Sequence, residues 1–289
     1  MFEFTEGASL VILNYVQSVR TRMSSLASAQ GDEKRLFETF LSDYENTIKF
    51  LANRLSFARD AKVVDTRDVR SAVSKMWIEL HRSRRIFALH YKEVLGDIDA
   101  VKDGLKGLEK PLILDVGCGW GRASRGVNNL LDRRAGVIGV DLDLFALKYG
   151  RSIDGEGCYL KSHMSHLPFR DHAFDVAISN MALHEIDEAN DKRQAFAEIA
   201  RVLKTSGIAY VSEPFVSSYV ARLFQNLLHR LRPRTESSFQ PSEFENSLKE
   251  MGLKVIRKRC ATWPAFNIRS FCSYVAEKTE TNTGIAQAA

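Results

Sequence analysis

Leu112-Ile113-Leu114-Asp115-Val116-Gly117-Cys118-Gly119-Trp120-Gly121-Arg122 is an apolar run that passes directly into three alternating glycines and then into helix-forming residues. A short run of apolar residues bounded by turn signals reads as a buried strand of a parallel sheet. Glycines let the backbone turn sharply and come close to a ligand, and the free N–H groups that open the following helix favour a negative group such as a carboxylate. Strand, glycine turn and helix in this order therefore predict a site for a nucleotide-like ligand. The dinucleotide fingerprint G-x-G-x-x-G needs glycine at position 122, where Arg122 stands, and Gly121 comes one residue early. Hydride transfer with a nicotinamide is disfavoured on that ground.

Downstream of this run, short β-rich segments at 112–116, 137–141, 174–179 and 208–212 alternate with helical ones. That alternation predicts βαβ units and a doubly wound α/β fold with a mostly parallel sheet. Residues 194–203 read as the helix before the 208–212 strand, with Ala195, Ile199 and Leu203 on one face and Gly207 in the turn. Beyond Glu213-Pro214, the spacing of Val216, Val220, Leu223, Phe224, Leu227 and Leu231 predicts an amphipathic helix, followed by another from Pro241 that ends at Gly252. Two strands, 254–260 and 271–276, joined through Trp263-Pro264-Ala265-Phe266, close the sheet with an antiparallel last strand.

Upstream, no proline precedes Pro111, and the apolar residues recur at helical spacing. Phe37, Leu41, Tyr44, Ile48, Leu51 and Leu55 fall on one stripe, and Val69, Val73, Met76, Leu80, Phe87 and Tyr91 on another. The expected organisation is an all-α N-terminal domain over 1–108, the α/β domain over 109–278 with a helical insertion at about 215–250, and a polar, disordered tail over 279–289. Two readings of the helical domain stay open: a bundle for packing or for homodimer formation, and a lid over the substrate pocket.

The net charge of +5 on 289 residues is concentrated beyond residue 210, where 11 basic residues face 7 acidic ones. This is far from the dense basic stripe of a nucleic-acid binder, so nucleic acid is a disfavoured partner that stays open. The four cysteines form no C-x-x-C pair and no disulfide scaffold, which fits a cytoplasmic protein. The N-terminal stretch reads as neither an export signal nor a membrane span.

The Asp115 to Gly121 loop resembles that of the class I S-adenosylmethionine-dependent methyltransferases, in the small-molecule branch with the methyltransferase type 11-like domain, over about residues 110–215. The resemblance implies a Rossmann-like fold, S-adenosyl-L-methionine as cofactor and no metal. Gly117, Gly119 and Gly121 would form the turn beside the methionine part, with Cys118 among them and Asp115 holding that part through its amino group or a water. Val137-Ile138-Gly139-Val140-Asp141 reads as a second strand ending in an acid, and a carboxylate there can accept bonds from both ribose hydroxyls. Asp141 is the expected ribose ligand, beside Leu142, with Asp143 as fallback. In Ser165-His166-Leu167-Pro168-Phe169, followed by Phe174-Asp175, the segment is similar to the family's L-P-F and F-D elements. Relatives carry an Asp four residues before that Leu, facing the adenine amino group; here the position is His163, with Met164 and Ser165 beside it. A structural loop histidine is the competing reading of His163, and a metal held by His163, His166 and His172 is disfavoured because no ligand pattern supports it.

The segment Asn180-Met181-Ala182-Leu183-His184-Glu185 matches the end of the fourth strand of the α/β domain and the loop beyond it, where ligands of an open α/β sheet lie. Asn180 joins the cofactor set, and His184, Glu185 and Glu213 are the candidates for the catalytic neighbourhood. Methyl transfer from a sulfonium is an in-line displacement, so the protein mainly aligns reactants and excludes water; a base would serve a hydroxyl or protonated nitrogen acceptor. The N/D-P-P-Y/F motif of nucleic-acid amino-methylating enzymes is absent after Asn180. Phe215, Tyr219, Phe224, Trp263 and Phe266 fit a small apolar or amphipathic acceptor. An RNA or protein methyltransferase gripping its substrate with His81-Arg82-Ser83-Arg84-Arg85 and the Arg230, Arg232 and Arg234 cluster is one alternative. A catalytically silent cofactor-binding interaction protein is another.

Overall fold

In the computed structural model, the described residues are 2–22, 31–74, 105, 107–155, 157–186, 189–216, 241–262 and 269–279. Two short strands, β1 (Glu3–Phe4) and β2 (Val63–Val64), pair in parallel beside the helices α1 (Glu6–Arg22), α2 (Gly31–Ala58) and α3 (66–74). The stripe read from the sequence packs inward: Tyr44 and Ile48 on α2 meet Ala8 and Ile12 on α1 and Val69 and Val73 on α3 in one apolar cluster. Burial of such side chains, about 1.5–3 kcal/mol each, outweighs the weak intrinsic preference of α1 for helix. Of the second stripe, Met76, Leu80, Phe87 and Tyr91 lie outside the described residues.

The main sheet is seven-stranded, built from β3 (Leu112–Val116), β4 (Gly136–Asp141), β5 (Cys158–Lys161), β6 (Phe174–Asn180), β7 (Leu203–Val216), β8 (Leu253–Thr262) and β9 (Arg269–Lys278). Its order is β5-β4-β3-β6-β7-β9-β8, with β9 antiparallel to both neighbours. The helices α4 (Arg122–Leu130), α5 (Leu144–Ile153), α6 (Ala189–Val202) and α7 (Pro241–Glu250) connect the strands. The expected doubly wound, mostly parallel α/β fold is thus the observed one. Alternation along each strand separates two cores. Leu114, Ala177, Val211 and Tyr274 face Phe196 of α6 and Phe244 of α7, whereas Ile113, Ile178, Tyr210 and Val275 face Val127 of α4. Among the described residues, no helix is long and apolar enough to cross a membrane.

Four details differ from the sequence reading, the first being the β1–β2 pair in an N-terminal domain expected to be all-α. The helix ending near 203 stops at Val202, because β7 begins at Leu203 and runs for 14 residues with a register shift opposite Phe174/Val176. The left-handed residue in that stretch is Ser206, at φ 61°, not Gly207. Cys260 and Cys272 stand directly opposite each other in β8 and β9 and form a disulfide. Nothing in the cysteine spacing signals this bridge, since the pairing depends on the register of a hairpin. The amphipathic stretch after Val216, the Trp263–Phe266 connection and the tail beyond 279 lie outside the described residues.

The helical unit is fastened to the sheet domain through one face of α2. Phe50 packs on the Trp120 and Tyr149 rings with centroids 6.3 and 5.4 Å away, and Tyr149 Oη donates to the Asn46 carbonyl at 2.9 Å. Buried Asp43 faces Arg125, whose guanidinium lies 4.6 Å over the Trp120 ring. Phe50→Ala is expected to destabilise the protein by about 3 kcal/mol, as truncation of a buried aromatic does. Urea unfolding checks this, and a loss under about 1 kcal/mol would mean that Phe50 is not the joint.

Candidate cofactor and active site

The chain runs outward from β3 to β5 and returns to β6 beside β3, so the winding reverses between β3 and β6. Crevices at such switch points hold the ligands of open α/β sheets. Here a cavity of about 760 Å³ opens, within the usual size of small-molecule sites. Its floor is the glycine turn, its sides are Asp141, Leu142, His163 and Met164, and Ala182, Glu185 and Ile186 border it beyond β6.

The turn is folded onto β4 by the N–H groups of Gly117 and Cys118, which both donate to the Val140 carbonyl at 2.9 and 3.0 Å. A Cβ on Gly117 would stand 2.2 Å from the Ala182 Cβ, and Gly117 adopts φ +70°. Only glycine permits this approach of β3 to the loop after β6. At Gly119 a Cβ would meet nothing within 4 Å among the described residues, because this residue faces the open cavity that it lines. Gly121 instead abuts the Tyr159 hydroxyl beneath the turn.

Asp141 ends β4 with its carboxylate at the cavity wall. Its Oδ2 accepts from Gly119 N–H at 2.7 Å and its Oδ1 from Asp143 N–H at 2.8 Å. Each oxygen keeps acceptor capacity, so two hydroxyls of a ribose could still be held. Asp143, the fallback, caps α5 by accepting from Phe145 and Ala146 N–H and forms an ion pair with Arg54 of α2 at 2.9 Å.

Several residues of the expected cofactor set lie behind the cavity wall. Asp115 is 1% exposed and accepts from Ser124 N–H at 3.2 Å, tying β3 to α4. Burial pushes its carboxyl up to about 6, against an ordinary value of about 4. The folded protein therefore holds that proton more tightly than the unfolded chain. Its stability should fall as pH rises from about 4 through about 6, by roughly 2–3 kcal/mol, and level off above. Asp115→Asn should flatten that part of the pH–stability curve in thermal melts; an unchanged slope would assign it to other groups. Cys118 is buried against Leu147 and Tyr159, with its thiol pushed far up by burial. Ser165 is also buried and bridges His163 and His166. Asn180 ends β6 with a buried Oδ1 that has no hydrogen-bond partner among the described residues, an acceptor suited to a cationic amine.

Glu213 differs most from expectation. It is fully buried, and its carboxylate faces the loop after β6 instead of the crevice. Oε1 accepts from Ala182 and Leu183 N–H at 3.0 and 2.9 Å, and Oε2 meets His184 N–H at 3.3 Å and His184 Nδ1 at 2.7 Å. The 3-10 turn Leu183–Glu185 is thereby pinned to β7, with His184 largely buried and Glu185 at the cavity. Phe50 and Arg54, which also line the cavity, escaped the sequence reading. Their helix was legible, but which of its faces meets a domain far along the chain was not. Among the described residues, no group of three His, Cys, Asp or Glu side chains is placed to hold a metal ion.

Residues 114–211 match the family of methyltransferase domains. A malonyl-[acyl-carrier protein] O-methyltransferase of Salmonella typhimurium is 33% identical over 110 residues, which are 38% of this chain and 41% of the relative. A demethylmenaquinone methyltransferase of Chlorobaculum tepidum is 28% identical over 142 residues, 48% of this chain and 57% of the relative. The chain thus spans well under two thirds of the length of either. A solved S-adenosylmethionine-dependent methyltransferase of Methanosarcina mazei superposes with a TM-score of 0.52 at 19% identity, covering 62% of this chain and 97% of that one; at that identity the likeness concerns the fold.

Proposed function

We propose that this chain, whose residues 114–211 match the family of methyltransferase domains, is a class I S-adenosylmethionine-dependent methyltransferase that methylates a small apolar or amphipathic acceptor. The observation that carries the reading is the convergence of the Gly119 backbone and the Asp141 carboxylate on one open cavity at the switch point. The residues fit the cofactor: among the described residues, Gly119 leaves space where a side chain would stand and Asn180 Oδ1 is an acceptor without a donor, and Asp141 can take the ribose. When bound, the sulfonium supplies an already activated methyl group. The chain's own part is alignment and exclusion of water. Met164 and Leu142 give the cavity apolar contact, while Glu213 holds the loop that carries His184 and Glu185. Glu185 is the carboxylate at the cavity and the better-placed proton acceptor for a hydroxyl or ammonium acceptor.

The relatives named for malonyl-[acyl-carrier protein] and for demethylmenaquinone support an acyl or quinone acceptor group, free or carried. Phe215 does not line the cavity and packs with Phe244 and Tyr274 in the core; Tyr219, Phe224, Trp263 and Phe266 lie outside the described residues, as do the basic segments at 81–85 and 230–234. The division near residue 108 belongs to the same proposal, with the helical unit as a cap, supported by Phe50 and Arg54 at the cavity. The ion pair of Arg54 with Asp143 is exposed and contributes under about 1 kcal/mol to stability. Arg54→Ala is expected to leave the melting temperature unchanged and to weaken S-adenosylhomocysteine binding several-fold by calorimetry; unchanged affinity would remove the cap. The proposal as a whole is tested by titrating S-adenosylhomocysteine into the protein and then screening quinones, phenols and acyl thioesters for methyl acceptance. Failure of the folded protein to bind would overturn it. Binding without turnover on any acceptor would favour a silent cofactor-binding protein, and salt-sensitive RNA binding would favour an RNA substrate.

A further inference from the structure

His163 occupies the position where relatives of this resemblance carry an acid, and its hydrogen bonds fix which of its ring nitrogens bears the proton. Ser165 N–H donates to His163 Nδ1 at 3.3 Å, so Nδ1 is an acceptor and carries no hydrogen. Ser165 Oγ approaches the same Nδ1 at 2.5 Å, and with no proton on the nitrogen the hydroxyl must supply it. Having spent its hydrogen there, Ser165 Oγ accepts from His166 Nδ1–H at 2.8 Å. Ser165 is 1% exposed, so water does not compete for these bonds. The chain runs one way, from His166 through Ser165 to His163, and leaves the proton of His163 on Nε2. That nitrogen lies across the ring from Ser165, and His163 is among the residues that line the cavity. An aspartate at this position could only accept. His163 can only donate.

We propose that His163 Nε2–H pairs with an acceptor nitrogen of the cofactor's purine ring, N1, and that the exocyclic amino group, which an acid would read, goes unread by this side chain. The proposal rests on the cavity being the S-adenosylmethionine site. It predicts a preference that runs opposite to that of an acid: removal of the amino group should cost little and removal of N1 should cost much.

The test compares S-adenosylhomocysteine, its 6-desamino analogue and its 1-deaza analogue by calorimetry on the wild type, His163→Ala and His163→Glu. The wild type should bind the 6-desamino analogue within about threefold of S-adenosylhomocysteine and lose about tenfold on the 1-deaza analogue, as deletion of one hydrogen-bond partner does. His163→Ala should remove the penalty for the 1-deaza analogue, and His163→Glu should create a new one of about tenfold for loss of the amino group. The wild-type comparison needs no variant, so it stands even where a substitution harms folding. A wild type that loses tenfold on the 6-desamino analogue, or a 1-deaza penalty that persists in His163→Ala, would overturn the assignment to His163 and leave the methyltransferase reading intact. A wild type that binds none of the three would overturn both.

Discussion

Asp141→Ala is expected to weaken S-adenosylhomocysteine binding by two to four orders of magnitude. A hydrogen bond to a charged group contributes about 1.5–3 kcal/mol, and two ribose hydroxyls would be lost together, for a combined loss of about 3–6 kcal/mol at about 1.4 kcal/mol per tenfold. The substitution also frees the Gly119 and Asp143 N–H groups, which the carboxylate now holds at 2.7 and 2.8 Å. The glycine turn would lose one of its ties to β4 just where the ligand lies, keeping those of Gly117 and Cys118 to the Val140 carbonyl. Asp143→Ala is the instructive control. Its carboxylate caps α5 and pairs with Arg54, so it should cost about 1 kcal/mol of stability through the lost cap and change affinity far less. Calorimetry on both, with thermal melts to establish folding, separates them. A folded Asp141→Ala that binds within tenfold of the wild type would show that the ribose is held elsewhere.

That contrast also marks how far the sequence could be read. The strand–glycine–helix run at 112–122 was legible because its requirements are local: an apolar strand, φ above zero, and no Cβ at Gly117. Asp141 was legible because strand ends and turns announce themselves in residue type. What a strand residue meets at the carboxyl end of the sheet was not. Glu213 follows Val211 and precedes Phe215 on the face toward α6, but only the folded loop after β6 shows that its oxygens meet backbone N–H groups. The same limit hid the bridge between Cys260 and Cys272, which depends on hairpin register, and the approach of Phe50 and Arg54, which depends on how α2 docks. The polarity of His163 was hidden more deeply still, because it is set by a hydroxyl two residues away and by a second histidine.

Glu213→Ala carries the largest expected effect on the protein itself. The wild-type carboxylate is fully buried and takes four hydrogen bonds, three of them from consecutive backbone N–H groups that open the 3-10 turn Leu183–Glu185. Alanine leaves those donors without an acceptor in an apolar surround, each at about 1–3 kcal/mol, and leaves a void beside them. Relaxation of the loop toward water returns part of that cost, so a net destabilisation of about 3–5 kcal/mol is expected. For a chain of this size that corresponds to a fall in Tm of roughly 6–20 °C. Glu213→Gln should rescue part of the loss, since its one oxygen can still accept from Ala182 and Leu183 N–H while its amide N–H turns toward the His184 N–H that needs an oxygen. What distinguishes a loop clamp from a catalytic base is the pattern of the loss. A clamp lowers Tm, weakens cofactor binding through Ala182 and Glu185 at the cavity, and leaves the pH dependence of the remaining activity unchanged. A base would leave Tm near that of the wild type and abolish turnover with affinity intact, which is the outcome that would restore Glu213 to the reacting centre.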